Sequence, residues 1–190
     1  MQVRGTHFLP LLVSEDDPGV GGDHLLDEFI PGLAIAYSFG PPYGQRLVTW
    51  DDLEQSRIPR RAVRREATEN LYRALDDVEV HGRPPALMLS FGGLESSVLL
   101  ADEFWDRVEQ GVPGELVVGV PARDVVIITG SQSRPGLAKA RRAVDRVFFA
   151  GDQHLLSQDL LVRREQEWMP FLPEVPAERG STPRASGRVR

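Results

Sequence analysis

The chain predicts an α+β fold, a single mixed-sheet domain with about three helices and a central hairpin at 115–129. Three observations predict it. First, Glu115 to Thr129 sets two β-branched apolar runs on either side of Pro121-Ala122-Arg123-Asp124, the pattern of a buried hairpin. Second, apolar residues recur at helical spacing in Val63, Ala67, Leu71 and Leu75, and again in Leu137, Ala140, Val144, Val147 and Phe148. Third, strands fall both as adjacent pairs and with helices between them, which fits α+β better than a regularly alternating doubly wound sheet.

The elements follow in order. Residues 1–28 read as a flexible acidic lead-in, because Glu15, Asp16, Asp17, Asp23, Asp27 and Glu28 lie among Pro18, Gly19, Gly21 and Gly22. Residues 29–172 form the α+β domain. Within it, Leu33 to Phe39 is a strand, Pro41-Pro42-Tyr43-Gly44 a turn, and Arg46 to Trp50 a second short strand. A helix runs from about Pro59 to Leu75, with proline suited to its first turn. Val78 and Val80, alternating with Asp77, Glu79 and His81, suggest an exposed edge strand, and Ala86 to Ser90 a more buried one. After the break at Gly92-Gly93 a helix is expected to Gln110, with Val98, Ala101, Trp105 and Val108 on one face and Gly111 and Pro113 beyond it. The helix after the central hairpin ends at Gly151, and residues 160–171 form a last hairpin turning near Glu165-Gln166. Residues 173–190 are rich in Pro, Gly, Ser, Ala and Arg, so they carry too little apolar surface to offset ordering entropy and read as a disordered tail.

Composition narrows the function classes. With 190 residues, 41% of them apolar, one core is the natural organisation. No apolar run approaches the roughly 20 residues of a membrane span, and no secretory signal pattern opens the chain, so a cytoplasmic location is expected. Cysteine is absent, which removes disulfides, thiol catalysis and thiolate metal sites. A net charge of −6 argues against bulk nucleic-acid binding. Lys139 is the only lysine among 22 basic residues, and arginine is the better group for bidentate carboxylate or phosphate contacts.

Several motifs together resemble the bacterial YtpQ-like family, a domain-of-unknown-function family. They are Leu47-Val-Thr-Trp-Asp-Asp-Leu53, Ala67-Thr-Glu-Asn-Leu71, Gly93-Leu-Glu-Ser-Ser97 leading to Phe104-Trp105, and Leu116-Val-Val-Gly-Val-Pro-Ala-Arg-Asp124. The likeness spans roughly residues 30–172 and looks like the later part of the family's pattern, without much of the N-terminal region of longer members. It implies a fold and a bacterial intracellular setting, with no catalytic residues to carry over.

Five groups of residues are candidate sites. Arg123 and Asp124, at the hairpin tip, could hold an anion, or could merely stabilise the turn. Ser131, Ser133 and Arg134 precede a helix whose free amides could also receive an anion, although serine there is first of all an N-cap and no Gly-Lys-Ser completes a phosphate loop. Asp77, Glu79 and His81 could share a strand face as a weak metal site, against the simpler reading of a solvated edge. Arg57, Arg61, Arg64 and Arg65 form an arginine stripe suited to a protein partner, and Lys139, Arg142 and Arg146 a second stripe. Each could equally face water. No Gly-x-Ser-x-Gly elbow or His-Glu-x-x-His is present, so no catalytic residue is named, no cofactor or metal is expected, and Ser96 and Ser97 read as capping or packing. The first functional reading is a non-enzymatic interaction or regulatory domain with a protein partner. The second is an enzyme or binding domain for an anionic, for instance phosphorylated, small molecule at Arg123, Asp124 and the 131–134 loop. The third is a nucleic-acid binder, and it requires the two basic stripes to adjoin.

Overall fold

In the computed structural model, which describes residues 8–172 apart from 57 and 152, the strands assemble into two antiparallel sheets. The smaller sheet holds β1 (Phe8–Ser14), β2 (Leu26–Ile30), β3 (Leu33–Phe39) and β4 (Arg46–Leu47), with β3 in the middle. Two helices follow, α1 (Trp50–Ser56) and α2 (Arg60–Ala74). The larger sheet takes β5 (Glu79–Arg83), β6 (Ala86–Ser90), β7 (Leu116–Ala122), β8 (Val125–Gly130), β9 (Leu160–Arg164) and β10 (Glu167–Pro170), in the order β10-β9-β7-β8-β6-β5. A 3₁₀ segment at Glu95–Leu100 and α3 (Asp102–Glu109) connect β6 to β7, and α4 (Arg134–Ala150) connects β8 to β9. The class is therefore α+β, as the sequence indicates, but it is built from two antiparallel sheets and four α-helices among the described residues.

The β7–β8 hairpin lies at the centre of the larger sheet and is covered on both faces, which is why its strands read as continuous apolar runs. Leu116, Val118 and Val120 join the main core with Leu12, Leu71, Val98 and Trp105. Val117 faces the other way, onto Ala140 and Val144 of α4. Gly119 lies on that same side, where a Cβ would stand 2.9 Å from Val144 Cγ2, so glycine lets the helix approach. A register shift between Gly119 and Ala122 puts a bulge in β7 just before the hairpin tip. The last hairpin turns where expected, with Glu165 and Gln166 both at positive φ. Ser133 caps α4 by accepting from the Gly136 amide at 3.2 Å, and Gly151 ends the helix in the left-handed conformation.

Three expectations are corrected. The lead-in drawn over residues 1–28 contains β1, whose Phe8-Leu-Pro-Leu-Leu-Val13 is buried and pairs along its length with β3. Its apolar run outweighs the acidic segment that follows, and that segment folds back so that Val20 packs on Val13, Ala34 and Ala36. The strand expected at Arg46 to Trp50 stops at Leu47. Thr49 and Asp52 form a reciprocal cap, Thr49 Oγ1 accepting from the Asp52 amide at 3.2 Å and Asp52 Oδ2 accepting from the Thr49 amide at 3.0 Å, which starts α1 at Trp50. The single helix expected up to Gln110 is split at Ala101, because the first part winds as a 3₁₀ segment before α3 begins. Val98, Ala101 and Trp105 are buried together nonetheless. The tail expected at 173–190 and position 57 lie outside the described residues.

Candidate anion-binding cleft

Among the described residues two arginines are buried, and their surroundings differ. Arg163, on β9, is 2% exposed and answered by three carboxylates of α3: Asp106 at 2.8 Å, Glu109 at 3.1 Å and Asp102 at 3.6 Å. Arg123, at the tip of the central hairpin, is 7% exposed and forms no ion pair among the described residues. Its Nη1 makes one long contact, 3.4 Å, to the Gly44 carbonyl, and its Nε has no acceptor among the described residues. Burial pushes its pKa down, and the more distant charges of Asp17 and Asp124 only partly restore it.

The sequence around Arg123 fixes it from both sides. Its carbonyl accepts from the Ser96 amide at 2.9 Å, and its amide donates to the His154 carbonyl at 3.2 Å. Leu156 and Ser157 extend the second clamp to Pro121 and Val120. The residues flanking the tip enclose a cleft of about 450 Å³ lined by Tyr43, Gly44, Gln45, Gly92, Gly93, Arg123, Asp124, Gln153 and His154. Gly92 and Gly93 adopt positive φ, and Glu95 Oε1 holds their loop by accepting from the Phe91 and Gly93 amides at 2.8 and 3.3 Å. A cleft bearing an ordered, desolvated guanidinium, neutral hydrogen-bonding side chains and glycine backbone can receive a carboxylate or phosphoryl oxygen.

The other sequence candidates fall elsewhere. Asp124 is exposed beside Arg123, whereas Ser131, Ser133 and Arg134 follow the far end of β8, so six residues of extended strand, about 20 Å, separate the two groups. Ser131 Oγ accepts from the Glu115 amide at 2.9 Å and Ser133 caps α4, so both hydroxyls serve local structure. Asp77 lies in a 3₁₀ turn outside β5, leaving only Glu79 and His81, 3.1 Å apart, on the strand. Among the described residues no group of three or more metal-ligating side chains is gathered. Arg61, Arg64 and Arg65 are exposed on α2, Arg65 facing Glu69 at 3.8 Å. Arg64 also borders a hollow of about 470 Å³ floored by Ile35, Leu99 and Trp168. The second stripe, on α4, lies across the larger sheet from α2, because α4 packs on the face opposite the main core. The two stripes therefore do not adjoin.

Tyr43, Gln45, Gln153, His154 and Asp17 were not legible as site residues, since they come from three loops far apart in sequence. The Gly92-Gly93 pair was legible as a break only. A half-buried polar group also escaped the sequence: Asp27, bonded by the Tyr37 hydroxyl and the Arg60 guanidinium, ties β2 and β3 to α2. Burial raises the Asp27 pKa, but those hydrogen bonds and the charges of Arg60 and Arg64 outweigh it and hold the carboxyl below its usual range.

No protein-family model matches the chain, and no solved structure matches it. It is 30% identical over 119 residues to a UPF0354 protein of Listeria welshimeri, covering 60% of this chain and 45% of that protein. It is 28% identical over 137 residues to a UPF0354 protein of Listeria innocua, covering 70% and 49%. The chain thus spans about half the length of the curated relatives it matches. The likeness is to an uncharacterised bacterial family, whose names here state no activity and do not carry the YtpQ designation. No helix among the described residues is long and apolar enough to cross a membrane.

Proposed function

We propose that this domain binds the anionic group of a small molecule at the Arg123 cleft. One observation carries the reading: a guanidinium buried to 7% exposure with no carboxylate in ion-pair contact among the described residues, where the other buried arginine described is answered by three. Burying an unpaired charge costs several kcal/mol, and a protein tolerates that cost where a ligand supplies the counter-charge. Titrating the protein with acetate and inorganic phosphate by calorimetry tests this. Arg123→Ala should weaken binding by roughly 10- to 100-fold, the loss of charge-assisted hydrogen bonds. Arg134→Ala, at the far end of β8, should leave it unchanged. Anion binding that ignores Arg123→Ala would remove the proposal.

A protein partner on α2 is a second reading, favoured by the exposure of Arg61, Arg64 and Arg65 and by the absence of any ion pair to Arg61 or Arg64 among the described residues. Changing Arg61→Glu and Arg65→Glu together should leave circular dichroism unaltered and reduce recovery of a native partner, most at low salt. Recovery of nothing above background from the unaltered protein would dismiss this reading.

A further inference from the structure

We infer that the ligand of the Arg123 cleft is a small zwitterion, an amino-acid-like molecule whose carboxylate meets Arg123 while its ammonium reaches an acidic hollow next to it. This rests on the reading of Arg123 as an anion receptor and adds what else the ligand must carry.

The cleft does not end at His154. A second hollow of about 410 Å³ is lined by Ser14, Asp16, Asp17, Pro18, Gln153, His154 and Leu155, so Gln153 and His154 wall both spaces. The two hollows adjoin along that wall. Their charges are unequally placed: among the described residues Arg123 is the one arginine or lysine lining either hollow, Asp124 stands beside it in the first, and Asp16 and Asp17 line the second. Asp17 is only loosely engaged, Oδ2 lying 3.9 Å from His154 Nδ1 while Oδ1 accepts from the Gly19 amide at 2.8 Å. Asp16 forms no ion pair among the described residues.

A bare anion placed against Arg123 would gain one attraction and meet three carboxylates, in a chain of net charge −6. A multiply charged phosphate compound would fare worse. A ligand with one carboxylate and one ammonium satisfies the buried cation at one end and the acidic wall at the other. Tyr43, Gln45 and Gln153, lining the Arg123 hollow, offer neutral hydrogen bonds that do not discriminate charge. The selectivity expected is thus against polyanions and in favour of molecules of zero net charge.

The test uses the full chain and two matched series in calorimetry. One series is glycine, β-alanine, γ-aminobutyrate and ε-aminocaproate; the other is the carboxylates of equal length without the amine, with inorganic phosphate alongside. At least one amino acid should bind roughly fivefold or more tightly than its amine-free counterpart, the effect of one partly shielded ion pair. That advantage should vanish in Asp16→Asn combined with Asp17→Asn, and should shrink in Asp16→Asn alone, a change at an exposed position that leaves the fold intact. Arg123→Ala should weaken binding of both series by the same roughly 10- to 100-fold. Equal affinity for both series, an advantage that survives the double change, or phosphate binding tighter than every amino acid through Arg123 would overturn the zwitterion inference while the anion receptor stands. No binding by any probe at millimolar concentration would sink both.

Discussion

Replacing Arg123 with methionine should make the protein more stable. The change keeps an unbranched side chain of similar reach and removes a buried cation, whose desolvation costs several kcal/mol. Opposing this are one long hydrogen bond to the Gly44 carbonyl, about 1 kcal/mol, and attraction to Asp17 and Asp124, no more than about 1 kcal/mol because both carboxylates keep water. The difference is a gain of roughly 1–3 kcal/mol, and for a domain of this size about 2–4 °C accompanies each kcal/mol, so the melting temperature should rise by roughly 2–12 °C. Differential scanning calorimetry without added anions reads this directly. A fall in melting temperature would show that Arg123 is a structural cation and not a receptor awaiting its ligand.

Arg163→Met gives the contrasting case: it removes two paired Nη groups from three carboxylates, so the midpoint should drop by an amount equivalent to roughly 2–4 kcal/mol, discounted because those carboxylates are half exposed. Asp27 has a depressed folded-state pKa, so its stabilisation is complete above the ordinary carboxylate range near about 4 and is lost as pH falls through the lower folded value. Melting curves of Asp27→Asn should therefore lie below the unaltered protein at neutral pH and converge with it in strong acid; a constant offset at every pH would contradict the assignment. Ser133→Ala should cost about 1 kcal/mol through loss of the α4 cap, measurable as a shift in urea midpoint with unchanged slope.

What the sequence made legible follows from periodicity and turn chemistry. The β7–β8 hairpin, α2, α4 and the β9–β10 turn carry their signals in contiguous residues, and they stand where those signals put them. Trp50 shows the limit: its neighbourhood is apolar enough for a strand, but the Thr49–Asp52 cap decides for helix, and a short capping box is easily overlooked beside a hydrophobic residue. At Ala101 the three-residue period of the 3₁₀ segment and the period of an α-helix place the same apolar residues inward, so pattern alone could not divide them. Of the candidate site, Arg123 and Asp124 were visible as a hairpin tip. The residues around them were not, because they meet only when the loops after β3, β6 and α4 converge on that tip.

Position rather than residue type separates Arg123 from the arginines of α2. An exposed arginine must surrender up to about 2 kcal/mol of side-chain entropy and part of its hydration before it can hold an anion. At the hairpin tip those costs are met during folding. The bulge in β7 turns the strand end, Ser96 and His154 clamp the Arg123 backbone on either side, and the guanidinium is already withdrawn from water against Gly44. An anion arriving there meets an ordered cation of low hydration, the condition under which a single charge contact is strongest. The loop walls that create this condition also bring Asp16 and Asp17 alongside, so the same fold that strengthens attraction for one negative group penalises a second.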